Sequence, residues 1–132
     1  MKANELRIGN LVNPKTICSI LSIYGVGNYV CDIEFCHNGN EHDGAFAQIA
    51  VDQLAPIPIT EDWLIKFGFE YVANEDDGGS MIMKTYEKGE IQFTYEGEGF
   101  VYYEKPWSDV QLNYVHELQN LYFALTDEEL TI

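Results

Sequence analysis

Residues 56–68 have the sequence Pro-Ile-Pro-Ile-Thr-Glu-Asp-Trp-Leu-Ile-Lys-Phe-Gly, and this stretch divides the chain into two parts. Each proline disfavours helix in the residue before it, so the stretch begins with an extended segment. Thr60 is placed to cap a helix whose first turn carries two acids at the positive end of the helix dipole. Gly68 is placed to end that helix. We therefore expect one lobe over residues 1–59 and a second over residues 60–132. The two lobes could also form one compact unit.

The first part predicts a small all-β lobe. Short apolar runs rich in β-branched residues alternate with turns such as Gly25–Asn28 and Asn38–Asn40. In the stretch from Tyr29 to Phe35 the apolar side chains fall on alternate positions, which is typical of a half-buried strand. Five short strands in fewer than 60 residues indicate a strongly bent sheet or an SH3-like barrel.

The second part predicts an antiparallel β-meander of three or four strands. Its strands are expected over Met81–Glu87, Glu90–Glu96 and Phe100–Glu104, joined by glycine-containing turns. The middle strand alternates between two sets of residues. We therefore expect one buried face, with Ile91, Phe93 and Tyr95, and one solvated face, with Glu90, Gln92, Thr94 and Glu96.

A long C-terminal helix is predicted from Ser108 to about Leu125. Ser108 and Gln111 have the spacing of a capping box, with Trp107 before them as part of a hydrophobic staple. Apolar residues recur at helical spacing and include Leu118, Tyr122 and Leu125. We expect this stripe to cover the buried face of the meander, so the fold class predicted from the sequence is α+β.

The distribution of charge limits the choice of partners. Lys and Arg number 7 against 22 Asp and Glu, for a formal net charge of −15. Residues 1–60 contain six acids and three bases, and residues 61–132 contain sixteen acids and four bases. An acidic surface repels nucleic-acid phosphates and anionic membranes, so neither is expected to be a partner. A basic protein surface is the partner that this charge favours.

Six residues are candidate binding residues. The acidic turn contributes Glu75, Asp76 and Asp77, and the expected solvated strand face contributes Glu90 and Glu96. That face could alternatively imitate the phosphate spacing of nucleic acid, although a merely solvated face is the simpler interpretation. Phe123 lies off the apolar stripe of the C-terminal helix, so it could pack on a second subunit or on Trp107 of the same chain.

Motifs for catalysis or metal binding are sparse. Cys31, Cys36, His37 and His42 are close enough in sequence to suggest zinc, but adjacent ligands and a core-facing Cys31 favour a buried cysteine beside a polar hairpin. We predict no metal, no cofactor and no catalytic residue; His116 is interpreted as a structural histidine. The rival hypothesis is a small enzyme that uses carboxylates between the lobes.

The sequence also gives expectations about cellular location. Three cysteines without a framework spacing favour reduced thiols. The first residues lack the apolar run of a signal peptide, and we expect a cytoplasmic protein.

Three stretches together carry a resemblance. They are residues 6–12 (LRIGNLV), 56–69 (PIPITEDWLIKFGF) and 114–126 (YVHELQNLYFALT). The chain resembles a group of short proteins of unknown function encoded in Bacteroides-type genomes, often in phage or mobile-element contexts. The resemblance implies a bacterial or phage-associated setting and assigns no functional residue.

The leading functional hypothesis is a non-enzymatic binding or accessory protein of a mobile element that engages a protein through acidic surface. The alternatives are the carboxylate enzyme described above and a structural homo-oligomer.

Overall fold

The computed structural model describes residues 1–13, 17–25, 28–37, 41–76, 82–97, 101–104 and 109–132, with only the backbone of residues 3, 35–37, 41–46, 75, 76 and 82. It has the expected α+β fold. The chain forms two compact units: the first consists of Met1–Ile57, Val115–Leu130 and Ile132, and the second of Pro58–Tyr114 and Thr131. The chain thus passes into the second unit close to the predicted boundary, but it returns to the first unit for its last helix.

The first unit contains a curled half-barrel sheet, as the sequence predicted. Its described strands are β1 (Leu11–Val12), β2 (Cys18–Tyr24), β3 (Val30–His37) and β4 (Glu41–Ala50), antiparallel in the order β1-β2-β3-β4. The register shifts once between β2 and β3 and once between β3 and β4. Such bulges increase the local twist of a sheet, so they account for the curl. Four strands lie within the described residues, where the sequence predicted five.

The core of this unit forms on one face of β2 and β3. Ile20 on β2 is paired with Ile33 on β3, and both are buried with Cys31. A short 3-10 helix, Val51–Gln53, follows β4 and adds Val51 to the same cluster. The predicted alternation in β3 is confirmed for Cys31 and Ile33, whereas Tyr29 before the strand is exposed and the side chain of Phe35 lies outside the described residues.

The C-terminal helix α2 (Val115–Thr126) begins seven residues later than predicted from Ser108. Gln111 and Leu112 form a strand, β9, and Tyr114 makes an isolated antiparallel bridge with Pro58. The capping box at Gln111 is therefore wrong, because the backbone there bonds to neighbouring extended segments. Ser108 and Trp107 lie outside the described residues.

Two adjacent polar side chains connect α2 to the rest of the first unit. Gln119 accepts a hydrogen bond from the backbone N–H of Leu11 at 2.8 Å and donates to the carbonyls of Gly9 and Leu130, each at 3.2 Å. Asn120 accepts a bond from Asn10 and donates to the carbonyl of Glu5, each at 2.9 Å. The sequence predicted that α2 covers the meander; the helix instead packs on β1 and the N-terminal segment.

The described part of the second unit contains helix α1 (Glu61–Lys66) and five strands: β5 (Glu70–Asp76), β6 (Ile82–Lys88), β7 (Ile91–Tyr95), β8 (Val101–Tyr103) and β9 (Gln111–Leu112). The described strands form one antiparallel sheet in the order β5-β6-β7-β8-β9. The meander is thus confirmed and has an additional strand on each side.

Helix α1 follows its prediction closely. Thr60 is its extended N-cap residue, although its side chain makes no capping hydrogen bond. Gly68 ends the helix with φ of +87°, a conformation that side chains with a Cβ rarely adopt. The Phe69 ring then contacts Phe93 of β7 edge to face at 5.6 Å, and Lys88 donates to the carbonyl of Phe67 at 2.6 Å. These contacts place α1 on the β6–β7 face that carries Phe93.

Replacement of Leu118 by alanine tests the observed place of α2. Leu118 is fully buried, whereas Leu125 on the same helix is 44% exposed. We expect Leu118→Ala to lower the free energy of unfolding by about 2–5 kcal/mol. The Leu125→Ala control should change it by less than ~0.5 kcal/mol. Urea unfolding followed by circular dichroism measures both.

Amide exchange locates the effect of Leu118→Ala. Protection should fall in β2 and β3 of the first unit. Loss confined to β6 and β7 would contradict the packing described here.

Candidate functional site

The acidic strand face predicted on the meander does not form. Glu90 is exposed in the turn before β7, but Glu96 is only 8% exposed and Thr94 is buried with it. Gln92 on the same predicted face is exposed, so this face is only partly solvated and does not present a continuous row of carboxylates. The prediction of a continuous negative face is wrong because alternation shows which side chains share a face but not what covers that face.

The predicted acidic turn is mostly strand. Glu75 and Asp76 are the last residues of β5, where their backbone pairs with Met83 and Ile82 of β6. Asp77 lies outside the described residues. Glu75 and Asp76 lie on the same strand as a third acid, because Glu70 is the first residue of β5.

Phe123 has a partner within its own chain. The Arg7 guanidinium lies 3.8 Å from the centroid of its ring, and Arg7 Nη2 is 2.6 Å from a carboxylate oxygen of Glu129. The sequence predicted that Phe123 packs on a second subunit or on Trp107. Trp107 lies outside the described residues. The ring face under Arg7 is therefore not available to a second subunit.

The cysteine–histidine group gives no described metal centre. The backbone register pairs Cys36 with His42 and His37 with Glu41 on the adjacent strands β3 and β4, but their side chains lie outside the described residues. Cys31 is buried, and its thiol donates to the carbonyl of Ile49 at 3.6 Å. Burial raises the pKa of that thiol, with the charge of Asp32 acting in the same direction. Among the described side chains, no three His, Cys, Asp or Glu converge to hold a metal ion.

His116 is a core residue on the first turn of α2. Its side chain is 3% exposed. Burial lowers its pKa, while the charges of Glu117 and Glu5 act in the opposite direction and the amino group of Met1 adds to the lowering. A neutral, enclosed imidazole of this kind is poorly placed to exchange protons with a substrate.

The first unit has an open groove of about 950 Å³ beside the N-terminal segment and the end of β4. Its polar lining includes Lys2, Asn4, Asn28, Asp52 and Gln53, and Tyr29 contributes an aromatic ring. All six side chains are exposed, and their charges are of both signs. This lining favours no one class of ligand.

The outer strand β5 has a more selective surface. In the sheet order it is paired with β6 alone, so the other side of its backbone faces outward within the described part of the second unit. Residues 70–74 are all exposed, with Tyr71 at 53%. The strand carries three acids and no base. Its register with β6 shifts between Tyr71 and Ala73, which marks a bulge at Val72.

A polar cluster lies beside β5 on the face that α1 covers. Glu61, at the start of α1, is 2.9 Å from Lys84 Nζ and also accepts a hydrogen bond from the Tyr86 hydroxyl. The bond from Lys84, with the Tyr86 bond second, lowers the pKa of Glu61, and the same ion pair raises the pKa of Lys84. Burial, followed by the Glu61 bond, raises the pKa of Tyr86. The ammonium group of Lys84 is thus held in an ion pair with Glu61.

Tyr71 extends this cluster to the edge of the sheet. Its ring meets that of Tyr86 edge to face at 6.0 Å, and its hydroxyl donates to Asn74 Oδ1 at 2.7 Å. The candidate site is therefore the exposed β5 strand with this tyrosine and the Glu61–Lys84 pair behind it. The sequence contains one signal for this site. The run Glu-Tyr-Val-Ala-Asn-Glu-Asp has acids at both ends, and its tyrosine and valine favour a strand.

Comparison with known proteins returned no match to a family model, a curated protein or a solved structure. Among the described residues, no helix combines the length and apolar character needed to cross a membrane. The function of the β5 site is therefore inferred from the chemistry of its own residues.

The lowered pKa of His116 predicts a loss of stability in mild acid. The unfolded histidine, with an ordinary value near 6.5, binds protons at a higher pH than the buried one. Stability should therefore decrease as the pH falls below about 6.5. His116→Gln should remove this part of the pH dependence. Thermal melts of both proteins between pH 7 and pH 5 measure it, and parallel curves would contradict it.

Proposed function

We propose that this protein is a non-enzymatic binding protein that takes an extended, basic segment of another protein alongside β5. The observation that carries the proposal is an outer strand that is exposed along residues 70–74 and whose seven residues include three acids and no base. An outer strand offers unpaired backbone N–H and C=O groups, which an added strand can satisfy.

Backbone hydrogen bonds and charge have separate roles in binding such a segment. Backbone hydrogen bonds supply affinity with little regard to sequence, at roughly 0.5–1.5 kcal/mol net for each bond. The three acids in the β5 sequence give this strand a negative charge, which disfavours acidic segments and increases the rate of encounter with basic ones. Together they favour a segment that is extended, carries Lys or Arg, and lacks proline at the pairing positions.

The same features disfavour other occupants. A second copy of the chain would place β5 acids against β5 acids, and like charges directly opposite one another destabilise strand pairing. The bulge at Val72 further disrupts the regular edge that two identical strands would need. Nucleic-acid phosphates would meet the same repulsion.

The resemblance to short proteins of Bacteroides-type genomes supports a setting for this activity. In a phage or mobile element, an accessory protein of this kind would act by binding a basic segment of a host or element protein. This part of the proposal rests on the resemblance alone.

A peptide experiment tests the proposal directly. The probe is a fluorescent ten-residue peptide in which arginine alternates with valine and threonine, and its proline-containing and glutamate-for-arginine variants are the controls. Fluorescence anisotropy should show binding of the first peptide only, weakening as salt rises from 50 to 300 mM. Amide exchange should show new protection in β5. Binding that leaves β5 unprotected, or that is unaffected by salt, would overturn the proposal.

Charge reversal on β5 should weaken this binding. Glu70→Lys places a cation at the start of the strand, and we expect about a fivefold loss of affinity at 50 mM salt. Asp109→Lys is the matched control, because it makes the same change in net charge at an exposed position before β9, at the opposite end of the sheet. Equal losses in both variants would indicate a general charge effect rather than binding at β5.

A further inference from the structure

The Tyr71 ring is held in place yet half exposed. The Tyr86 ring supports one side, and the hydrogen bond from its hydroxyl to Asn74 fixes its direction. A side chain on an outer strand ordinarily samples several rotamers, and ordering it on binding costs free energy. Here the two contacts within the chain have already met that cost, so the ring is a preorganised surface.

The geometry of strand addition places one partner residue next to this ring. In an antiparallel pair, the residue directly opposite Tyr71 shares its face of the sheet, with Cβ atoms about 4.5–5.5 Å apart. A long side chain at that position would lie along the exposed side of the ring. The formal net charge of −15 and the three acids in the β5 sequence favour a cation in the added segment.

An arginine fits this position better than a lysine. The guanidinium is planar, less strongly hydrated than an ammonium, and stacks on aromatic rings. The molecule already contains this contact elsewhere, since Arg7 lies on Phe123 at 3.8 Å.

Among the described residues, Lys84 is a cation whose charge interacts with Tyr71. Its backbone pairs with Asn74, which bonds to Tyr71, and its ammonium lies 2.9 Å from Glu61. Lys84 and Tyr86 are two residues apart on β6, so they share a face. As long as Glu61 holds Lys84, that charge is paired and directed toward α1.

We infer that Tyr71 binds an arginine of the added segment, and that Glu61 is a positioning residue that keeps Lys84 from opposing it. This inference rests on the proposed function and names the residue that the site selects. It also assigns a role to a partly exposed ion pair that the fold alone does not require, because α1 is already packed through Trp63, Leu64 and Phe67.

Peptide variants test the choice of arginine. Citrulline has the shape of arginine without its charge, so replacement of the arginine opposite Tyr71 should weaken binding about fivefold in the wild type. In Tyr71→Leu the two peptides should differ by less than twofold, whereas Tyr71→Phe should keep most of the difference. The same preference for arginine in Tyr71→Leu would overturn the assignment of this ring.

Protein variants test the role of Glu61. Glu61→Gln should weaken binding of the arginine peptide about threefold, with a smaller effect on the citrulline peptide, because the released Lys84 repels only the cation. The double variant Glu61→Gln/Lys84→Met should restore the affinity, which a merely structural role of Glu61 would not predict. Thermal melts of each variant establish that it is folded at the temperature of measurement.

The outcomes separate the two proposals. If no peptide protects β5 from amide exchange, the proposed function fails. If both peptides protect β5 and bind equally well, strand addition stands and the arginine site fails. If Glu61→Gln weakens both peptides equally and the double variant does not recover, Glu61 is not a positioning residue.

Discussion

The side-chain amide of Gln119 joins three segments that are far apart in the sequence. Its oxygen accepts the N–H of Leu11, and its nitrogen donates to the carbonyls of Gly9 and Leu130. The group is almost completely buried, and an unpaired buried amide would cost several kcal/mol, on the order of 2–7. Its three bonds therefore define where α2, the β1 segment and the C-terminal segment meet. Together with the buried apolar side chains of α2, these bonds hold the helix against the rest of the first unit.

This constraint has a consequence for the second unit. Because α2 belongs with the first unit, the meander relies for its own described packing on α1, through Phe69 on Phe93 and Lys88 on the carbonyl of Phe67. The described sheet extends to five strands, and β5, one of its two outer strands, is exposed along residues 70–74. A strand with three acids and no base thus also has an exposed backbone edge.

Negative charge has different roles at different positions. Glu61 is a fixed partner for Lys84 and Tyr86, Glu129 is paired with Arg7, and Glu96 is buried. These acids have contacts within the fold. The acids of β5 differ because they share a strand with an exposed backbone edge. Net charge alone therefore does not distinguish acids that stabilise the fold from acids on an exposed strand.

Local patterns in the sequence determined the elements whose signals are contained within a few residues: helix α1 with its end at Gly68, the alternation of β3, the middle strand of the meander and the α+β class. Tertiary structure alone decided the rest. Gln111 and Leu112 became strand because β8 offers them backbone partners, and Glu96 became buried because burial depends on what covers a face. The packing of α2 depended on Gln119, a polar residue that an apolar periodicity ignores. The candidate site depended on which strand lies outermost, and strand order is set by pairing between distant segments, which no local pattern encodes.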